Sequence, residues 1–261
     1  MKISVIIPTC DRPEYLPETL RSVFAQSRKP DEVIVVNNGK LPLKLESEFA
    51  SRVTVYDIVP YAGAAHARNF GAAVAAGDYL AFLDDDDLWN RDYLANAGEL
   101  CDRGAVCVLS RLDALRGEKI EQFKNPDSKL TVENLLAFNP GITGSNIVIA
   151  KKIFFEAKGF DPKLPPSEDK SLVLELLLAA IPVGTLPDNQ VLWRDHSGVR
   201  LTNHAKMAEG IYQFVRKYSS RMSFKQKIKN WLKIYHYRKK SGNKSAVFPL
   251  AVLKVLHRII S

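Results

Sequence analysis

Residues 79–89 read YLAFLDDDDLW, an apolar run that ends directly in four consecutive aspartates, Asp84 to Asp87. Like charges this close repel by about 1 kcal/mol per pair in bulk water, and by more beside a protein. A chain that keeps such a cluster either leaves it in solvent or supplies it with a cation. The flanking segments show what kind of element it ends. Upstream, AGAAHARNFGAAVAAG (62–77) is an Ala-rich helical stretch closed by Gly77, a favoured helix stop. Downstream, LWNRDYLANAGELC (88–101) reads as another helix, so the apolar run between them is a short buried strand.

The same alternation extends toward the N-terminus. KISVIIP (2–8) is β-branched and apolar throughout, the pattern of a strand covered on both faces. EYLPETLRSVFAQS (14–27) places Leu16, Leu20, Val23 and Phe24 at helical spacing. DEVIVVNNG (31–39) and RVTVYDIV (52–59) are further strands, the first ending in turn residues. Strands alternating with helices predict right-handed crossovers, hence an α/β fold with a mostly parallel, Rossmann-like sheet flanked by helices. Beyond residue 100 the pattern loosens. CVLS (107–110) and GSNIVIAKKIFFEAKGF (144–160) suggest strands and a helix, SEDKSLVLELLLAA (167–180) a helix, and WRDHSGVRLTN (193–203) a polar loop. From about Ala205 the chain reads as helical. The expected organisation is a catalytic unit over 1–203, in halves of about 1–110 and 111–203, and a helical extension over 204–261.

In open α/β sheets, ligands bind beyond the carboxyl ends of the strands. Those ends here are PTCDR (8–12), NNG (37–39) and the four aspartates, three polar clusters brought to one rim. The aspartates have two readings. Acids at the start of a helix are favoured by its dipole. Four in a row, straight off a buried strand, exceed that use and suit Mg²⁺ or Mn²⁺, which takes one or two protein carboxylates and completes its shell with phosphates and water.

Composition sets the frame. The 261 residues are 46% hydrophobic and 25% charged, as in a soluble globular protein, and no run nears the ~20 apolar residues of a membrane-spanning helix. MKISVIIPT is too short an apolar run for a signal peptide. Cys10, Cys101 and Cys107 fit no metal-ligand spacing and read as reduced thiols of a cytoplasmic protein. From Thr202 onward, 14 Lys and Arg face the single acid Glu209, a net +13, which leaves −5 for the rest of a chain whose total is +8. A mildly acidic body with a basic tail points to an anionic partner.

Four segments in order, SVIIPTCDRPEYLPETLRSVFAQS, DEVIVVNNG, ARNFGAAVAAGDYLAFLDDDDLW and GFDPKLPPSED, resemble glycosyltransferase family 2, over about residues 2–200. The resemblance implies an inverting enzyme with the GT-A fold that binds a nucleotide-sugar and a divalent metal, Mn²⁺ or Mg²⁺. By position, Pro8, Thr9 and Asp11 would line the base pocket. Asn38 stands where the family usually has an aspartate on the uracil ring; an amide can accept from the ring N–H and donate to a carbonyl. Asn37 reads equally as a turn residue. Arg68 matches an arginine that reaches the nucleotide, against the alternative of a solvated helix arginine. The family motif, D-x-D before an aromatic, places Asp85 on the ribose and Asp86 on the metal, with Asp84 and Asp87 in support.

In SED (167–169), Asp169 takes the position of the catalytic base and Glu168 that of a residue placing donor or acceptor. Chemistry requires a base, because the acceptor hydroxyl must lose its proton as it attacks. The plainer use of such a pair is as helix N-terminal acids. GITGSN, ending in Asn146, would lie near the sugars. Arg194, His196 and Arg200 fall in a loop that closes over the diphosphate in related enzymes, with His196 a metal-shell candidate. The partners implied are a nucleotide-sugar, chiefly a UDP-sugar, and a glycan or lipid-linked acceptor of bacterial surface polysaccharide synthesis. A sugar-phosphate nucleotidyltransferase would want a Gly-rich loop after the first strand, which PTCDRP lacks; the acids argue against a non-catalytic binding relative.

The tail remains. FKQKIKNWLKIYHYRKK (224–240) places Phe224, Ile228, Trp231, Leu232 and Tyr235 on one helical face and lysines on the other, and AVFPLAVLKVLHRII (246–260) is mostly apolar. Basic-plus-aromatic amphipathic helices lie at membrane interfaces, here the inner-membrane surface. The alternative is a helical layer packed on the body. No nucleic-acid-binding motif accompanies the charge.

Overall fold

The computed structural model describes residues 1–126, 130–195 and 204–260. Strands β1 (Ile3–Thr9), β2 (Glu32–Asn37), β3 (Thr54–Asp57) and β4 (Tyr79–Phe82) pair in parallel in the order β3-β2-β1-β4. The crossovers are helices α1 (Leu16–Phe24) and α2 (Ala64–Val74). β1, β2 and β4 are buried on both faces, so their alternate residues feed two cores, while β3 forms the half-exposed edge. Ile6, Ile34, Val36, Leu80 and Phe82 pack on one side with α2. Ile3, Val5, Ile7, Val33, Val35 and Ala81 pack on the other with α1 and with α3 (Tyr93–Asp102).

Past β4 the sheet becomes mixed. β8 (Ile147–Ala150) lies antiparallel to β4, and β6 (Cys107–Arg116) antiparallel to β8. β9 (Gly184–Arg194) joins β6 in parallel, and the two-residue β5 (Leu88–Trp89) pairs antiparallel with β9. β7 (Lys119–Lys124) forms a hairpin with β6. The result is a mixed α/β sheet, parallel through its first four strands, whose β4 and β9 ends meet at the acid turn 84–87.

The remaining helices are α4 (Val132–Ala137), α5 (Lys151–Glu156), α6 (Glu168–Leu178), α7 (His204–Tyr218), α8 (Phe224–Lys240) and α9 (Val247–Ile260). The tail helices α7 and α8 are not detached from the body. Ile211, Phe214, Val215, Tyr218 and Ile234 belong to the same core cluster as Phe82 and Leu172. Three α8 side chains reach carbonyls of α4: Gln226 Nε2 donates to Glu133 O in its first turn (2.8 Å), and Asn230 Nδ2 to Leu136 O (2.8 Å) and Lys233 Nζ to Ala137 O (3.0 Å) at its end. Helix-terminal carbonyls have no partner in their own helix, which is why buried Asn230 is tolerated there. α7 approaches the loop before α6 so closely that a Cβ on Gly210 would meet Pro165 O at 1.9 Å. Only α9 is peripheral, resting on α8 and leaving Phe248, Val252 and Val255 exposed.

Candidate active site

The four aspartates divide into two kinds. Asp87 is buried and structural: its carboxylate accepts from Ser145 Oγ (2.5 Å) and from the Arg194 amide (2.9 Å). Burial, then Asp86 and Asp84 beside it, push its carboxyl well above the usual range. Asp85 has no exposed surface. It accepts from Thr9 Oγ1 (2.6 Å) and from Arg12 Nη2, and burial lifts its carboxyl to about 7 against the pull of Arg12. Asp84 and Asp86 face the rim, with side chains 29% and 16% exposed. Asp84 pairs with Arg68 Nη2, and Asp86 with Arg12 Nη1 at 2.6 Å. The turn itself is braced from three elements. The Thr19 hydroxyl of α1 reaches the carbonyls of Asp85 (2.9 Å) and Asp87 (3.0 Å), Arg194 Nε of β9 donates to Asp86 O (2.9 Å), and the Asp84 amide donates to Ser145 Oγ (3.1 Å).

The other two strand ends form the adjoining floor. Pro8 and Thr9 are buried at the end of β1. The Asn38 amide N–H donates to Thr9 O (2.8 Å), while its side-chain oxygen accepts from Gly63 N (3.2 Å) at the start of α2. Asn37 is a turn residue: Nδ2 donates to Asp57 Oδ1 (2.7 Å) and Leu41 O (2.9 Å), and Oδ1 accepts from Gly39 N (3.0 Å). Asp11 has φ 49°, in the left-handed region. Its carboxylate accepts from the amides of Lys40 (3.0 Å) and Leu41 (3.4 Å) and from Tyr61 Oη (2.8 Å), and the Tyr61 bond leads in holding it below its ordinary pKa.

Across the cleft, α6 begins with the acid pair. Arg68 connects it to the aspartates, donating from Nη2 to Asp84 and from Nη1 to Glu168 Oε1 (3.4 Å). Arg68 was expected at the nucleotide; only 4% exposed, it stands behind the rim as a link between two acid clusters. Gly144 is what admits it. A Cβ there would lie 2.2 Å from Arg68 Nη2. Asn146 was expected near the sugars, yet it is fully buried and shapes its own loop. Its Nδ2 donates to Ser110 O (2.7 Å) and Gly141 O (2.8 Å), and its Oδ1 accepts from Thr143 N (2.9 Å). Asp169 is half-buried, and its Oδ1 accepts from the Lys170 amide (2.6 Å). Burial, then the neighbouring Glu168, lift its carboxyl to about 8. Burial also raises Glu168, opposed by Arg68. Among the described residues, Arg12 Nε, Arg68 Nε and Glu168 Oε2 are buried without hydrogen-bond partners, on side chains linked to the acid turn directly or through Arg68.

Sequence reading passed over Arg12, Thr19 and Ser145. The available signal for Arg12 was its place in PTCDR, on the same rim as the aspartates it neutralises. His196 and Arg200 lie outside the described residues.

Residues 4–155, more than half of the chain, match the family described as Glycosyl transferase family 2. Over 181 residues the chain is 28% identical to an uncharacterized glycosyltransferase of Haemophilus influenzae, covering 67% of this chain and 62% of that protein. Over 142 residues it is 31% identical to the putative teichuronic acid biosynthesis glycosyltransferase TuaG of Bacillus subtilis, covering 51% and 56%. The chain thus spans less than two thirds of the length of these curated relatives. Two solved structures share the fold at 18% identity, each with a TM-score of 0.64. Staphylococcus aureus TarS 1–349 in complex with UDP-GlcNAc covers 91% of this chain and 71% of its own. The mannosyltransferase PcManGT from Pyrobaculum calidifontis, in complex with GDP-Man and Mn²⁺, covers 98% and 80%. With the sheet order and the rim of strand ends described above, these matches establish that the chain belongs to glycosyl transferase family 2 and has its GT-A fold.

Proposed function

We propose that the chain transfers a sugar from a nucleoside-diphosphate sugar to a hydroxyl of a glycan or lipid-linked acceptor in surface polysaccharide synthesis, by a single inverting displacement. The observation that carries this is Arg68, which joins the aspartates at the end of β4 to the acid pair at the start of α6. Donor-side and acceptor-side acids therefore share one cleft. Asp169 takes the proton of the acceptor hydroxyl. The hydroxyl oxygen bonds to the anomeric carbon as the bond from that carbon to the diphosphate oxygen breaks on the opposite side, so one base and one displacement invert the centre.

Asp84 and Asp86, two rim carboxylates with one residue between them, are the donor set that Mn²⁺ or Mg²⁺ takes from protein. Among the described residues no larger group of His, Cys, Asp or Glu is placed to hold a metal, so phosphates and water would complete the shell. When bound, the ion neutralises charge on the departing diphosphate. Asp85, which the resemblance places on the ribose, is buried behind Arg12, so in this reading it supports the turn from below the rim. Pro8, Thr9, Asp11 and Asn38 form the base pocket, where the Asn38 amide supports uracil and hence a UDP-sugar.

A second surface supports membrane contact. No helix among the described residues is long and apolar enough to cross a membrane. From Gly210 to Ser261 the sequence contains no acidic residue, and α9 exposes Phe248, Val252 and Val255 amid these cations. A second copy would oppose like charges across this face; an anionic bilayer complements it.

Calorimetry with a panel of nucleotide-sugars and Mn²⁺ tests the donor. Asp169→Asn separates binding from chemistry: donor affinity stays within about twofold while transfer falls by roughly 10²–10⁴, the usual worth of a positioned base. Transfer at near wild-type rate in that variant removes Asp169 from the role.

A further inference from the structure

The acid turn is already held by a cation of the chain. Arg12 spans two residues at once, Nη2 on Asp85 and Nη1 on Asp86 (2.6 Å), with only 13% of its side chain exposed. The loop geometry aims it there. Asp11, immediately before it, sits at φ 49° with its carboxylate tied to Lys40 N, Leu41 N and Tyr61 Oη, which turns residue 12 back over the end of β4. Gly39 packs against this kink, since a Cβ there would lie 2.3 Å from Asp11 Oδ1. The guanidinium is not fully satisfied: Nε is buried without a partner, and its hydrogen bonds run from Nη1 and Nη2 to the two acids.

We propose that Arg12 is the resident counter-ion of the acid turn, and that a divalent cation entering the site competes with its guanidinium for Asp86. This rests on the metal reading above. A carboxylate oxygen at 2.6 Å from an N–H donor lies in a charge-assisted hydrogen bond, and a metal that ligates the same oxygen must break or lengthen that bond. Intrinsic metal affinity is therefore lowered by the worth of the Arg12–Asp86 bond, while Asp85, wholly buried, keeps the other arm of the fork. The same contact offsets the repulsion between Asp85 and Asp86 when no metal is present, as Arg68 does for Asp84.

Mn²⁺ titrated calorimetrically into the full chain without nucleotide, with a parallel thermal-shift measurement, tests this. Arg12→Met is expected to bind Mn²⁺ about tenfold more tightly than wild type, the worth of one hydrogen bond to a charged group no longer in competition. It is also expected to melt lower in chelator and to gain more from Mn²⁺. Equal or weaker Mn²⁺ binding overturns the proposal. Should Arg12→Met fail to fold, Arg12→Lys serves: one ammonium cannot span both carboxylates, so binding tighter than wild type is again expected, and no tightening overturns it. Asp86→Asn separates the two readings. If it leaves wild-type Mn²⁺ binding unchanged, the metal assignment falls and this proposal with it. If it abolishes binding while the Arg12 variants show no gain, only the competition is refuted. A gain that survives in the double variant with Asp86→Asn also refutes it.

Discussion

At the residue scale, the proposed role of Asp169 as base, beside Glu168, carries a pH dependence. Asp169 is lifted to about 8 by burial and then by the carboxylate of Glu168; the Lys170 amide and Arg68 pull it down, and Asp84 adds a smaller push upward. A base must be deprotonated to accept the acceptor's proton, so its working form accumulates as pH rises through about 8. We expect kcat/KM to rise with pH along a limb near 8, falling about tenfold per unit below it. A limb in the ordinary carboxylate range, near pH 4, would count against Asp169. The stability effect has the opposite sign. The folded pKa exceeds the unfolded one, so the folded state holds the extra proton between about 4 and 8 and loses stability as pH rises across that window. Asp169→Asn should accordingly gain in melting temperature over wild type between pH 5 and pH 8. Much of this was legible in the sequence, because Asp84 to Asp87, Glu168 and Asp169 stand in short contiguous strings. Their division of labour was not. Whether an aspartate faces the rim or the core depends on Thr9, Arg12, Ser145 and Arg194, which reach it from 58 to 108 positions away in the chain.

At the element scale, the loop before β8 and the start of α6 frame the candidate site, and both are tightly specified. The loop 141–146 reaches Arg68 through Gly144, whose missing side chain makes room for a guanidinium already fixed by two carboxylates. Gly144→Ala must push that group off Asp84 or Glu168. A loss of roughly 1–3 kcal/mol in stability, the usual cost of overpacking, and at least a tenfold fall in transfer are expected from denaturation and kinetics. Wild-type transfer in this variant would show that the Arg68 bridge is dispensable. On α6 itself, Lys170 is buried with its Nζ 3.3 Å from the centre of the Phe214 ring, and burial, then Lys233, lower its pKa to about 7. The unfolded side chain holds its proton to about 10.5, so this group costs more stability as pH falls from 10 toward 7. Lys170→Met should therefore raise the melting temperature, and by more at pH 6 than at pH 9; an equal gain at both would mean the ammonium is not desolvated in the fold. The first four strands were readable from short β-branched or apolar runs bounded by helices and turns. β9 was not, because GTLPDNQVLWR carries Pro187, Asp188 and no alternation, and its pairing with β6 is what makes it a strand.

At the scale of the whole molecule, the C-terminal helices change meaning once the packing is known. The apolar stripe of α8 is the natural sequence candidate for a membrane face, yet Ile228 and Ile234 are buried, Asn230 caps the end of α4 and Gln226 bonds a carbonyl in its first turn. Hydrophobic periodicity shows that a face is covered and does not say by what. The free apolar surface has moved one helix on, to Phe248, Val252 and Val255 of α9. The charge there is concentrated as well. Lys240, Lys254, His204 and Lys239 all act on His236 and, after burial, hold its pKa below the ordinary value, which places the end of α8 and the middle of α9 at one basic pole. Each cation near an anionic surface contributes about 1 kcal/mol, and inserting a phenylalanine adds roughly 1.5–3 kcal/mol. Truncation cannot test this, because removing α8 would strip the core. Substitutions on exposed α9 positions can. Phe248→Asp with Val255→Asp should leave the melting temperature within a degree or two, since both residues are more than half exposed, and should abolish co-sedimentation with phosphatidylglycerol vesicles at low salt. Wild type should pellet with those vesicles, not with phosphatidylcholine alone, and should be released as salt shortens the electrostatic range. Equal sedimentation of wild type and the double variant would show that α9 does not face lipid, and the basic pole would then need another anionic partner.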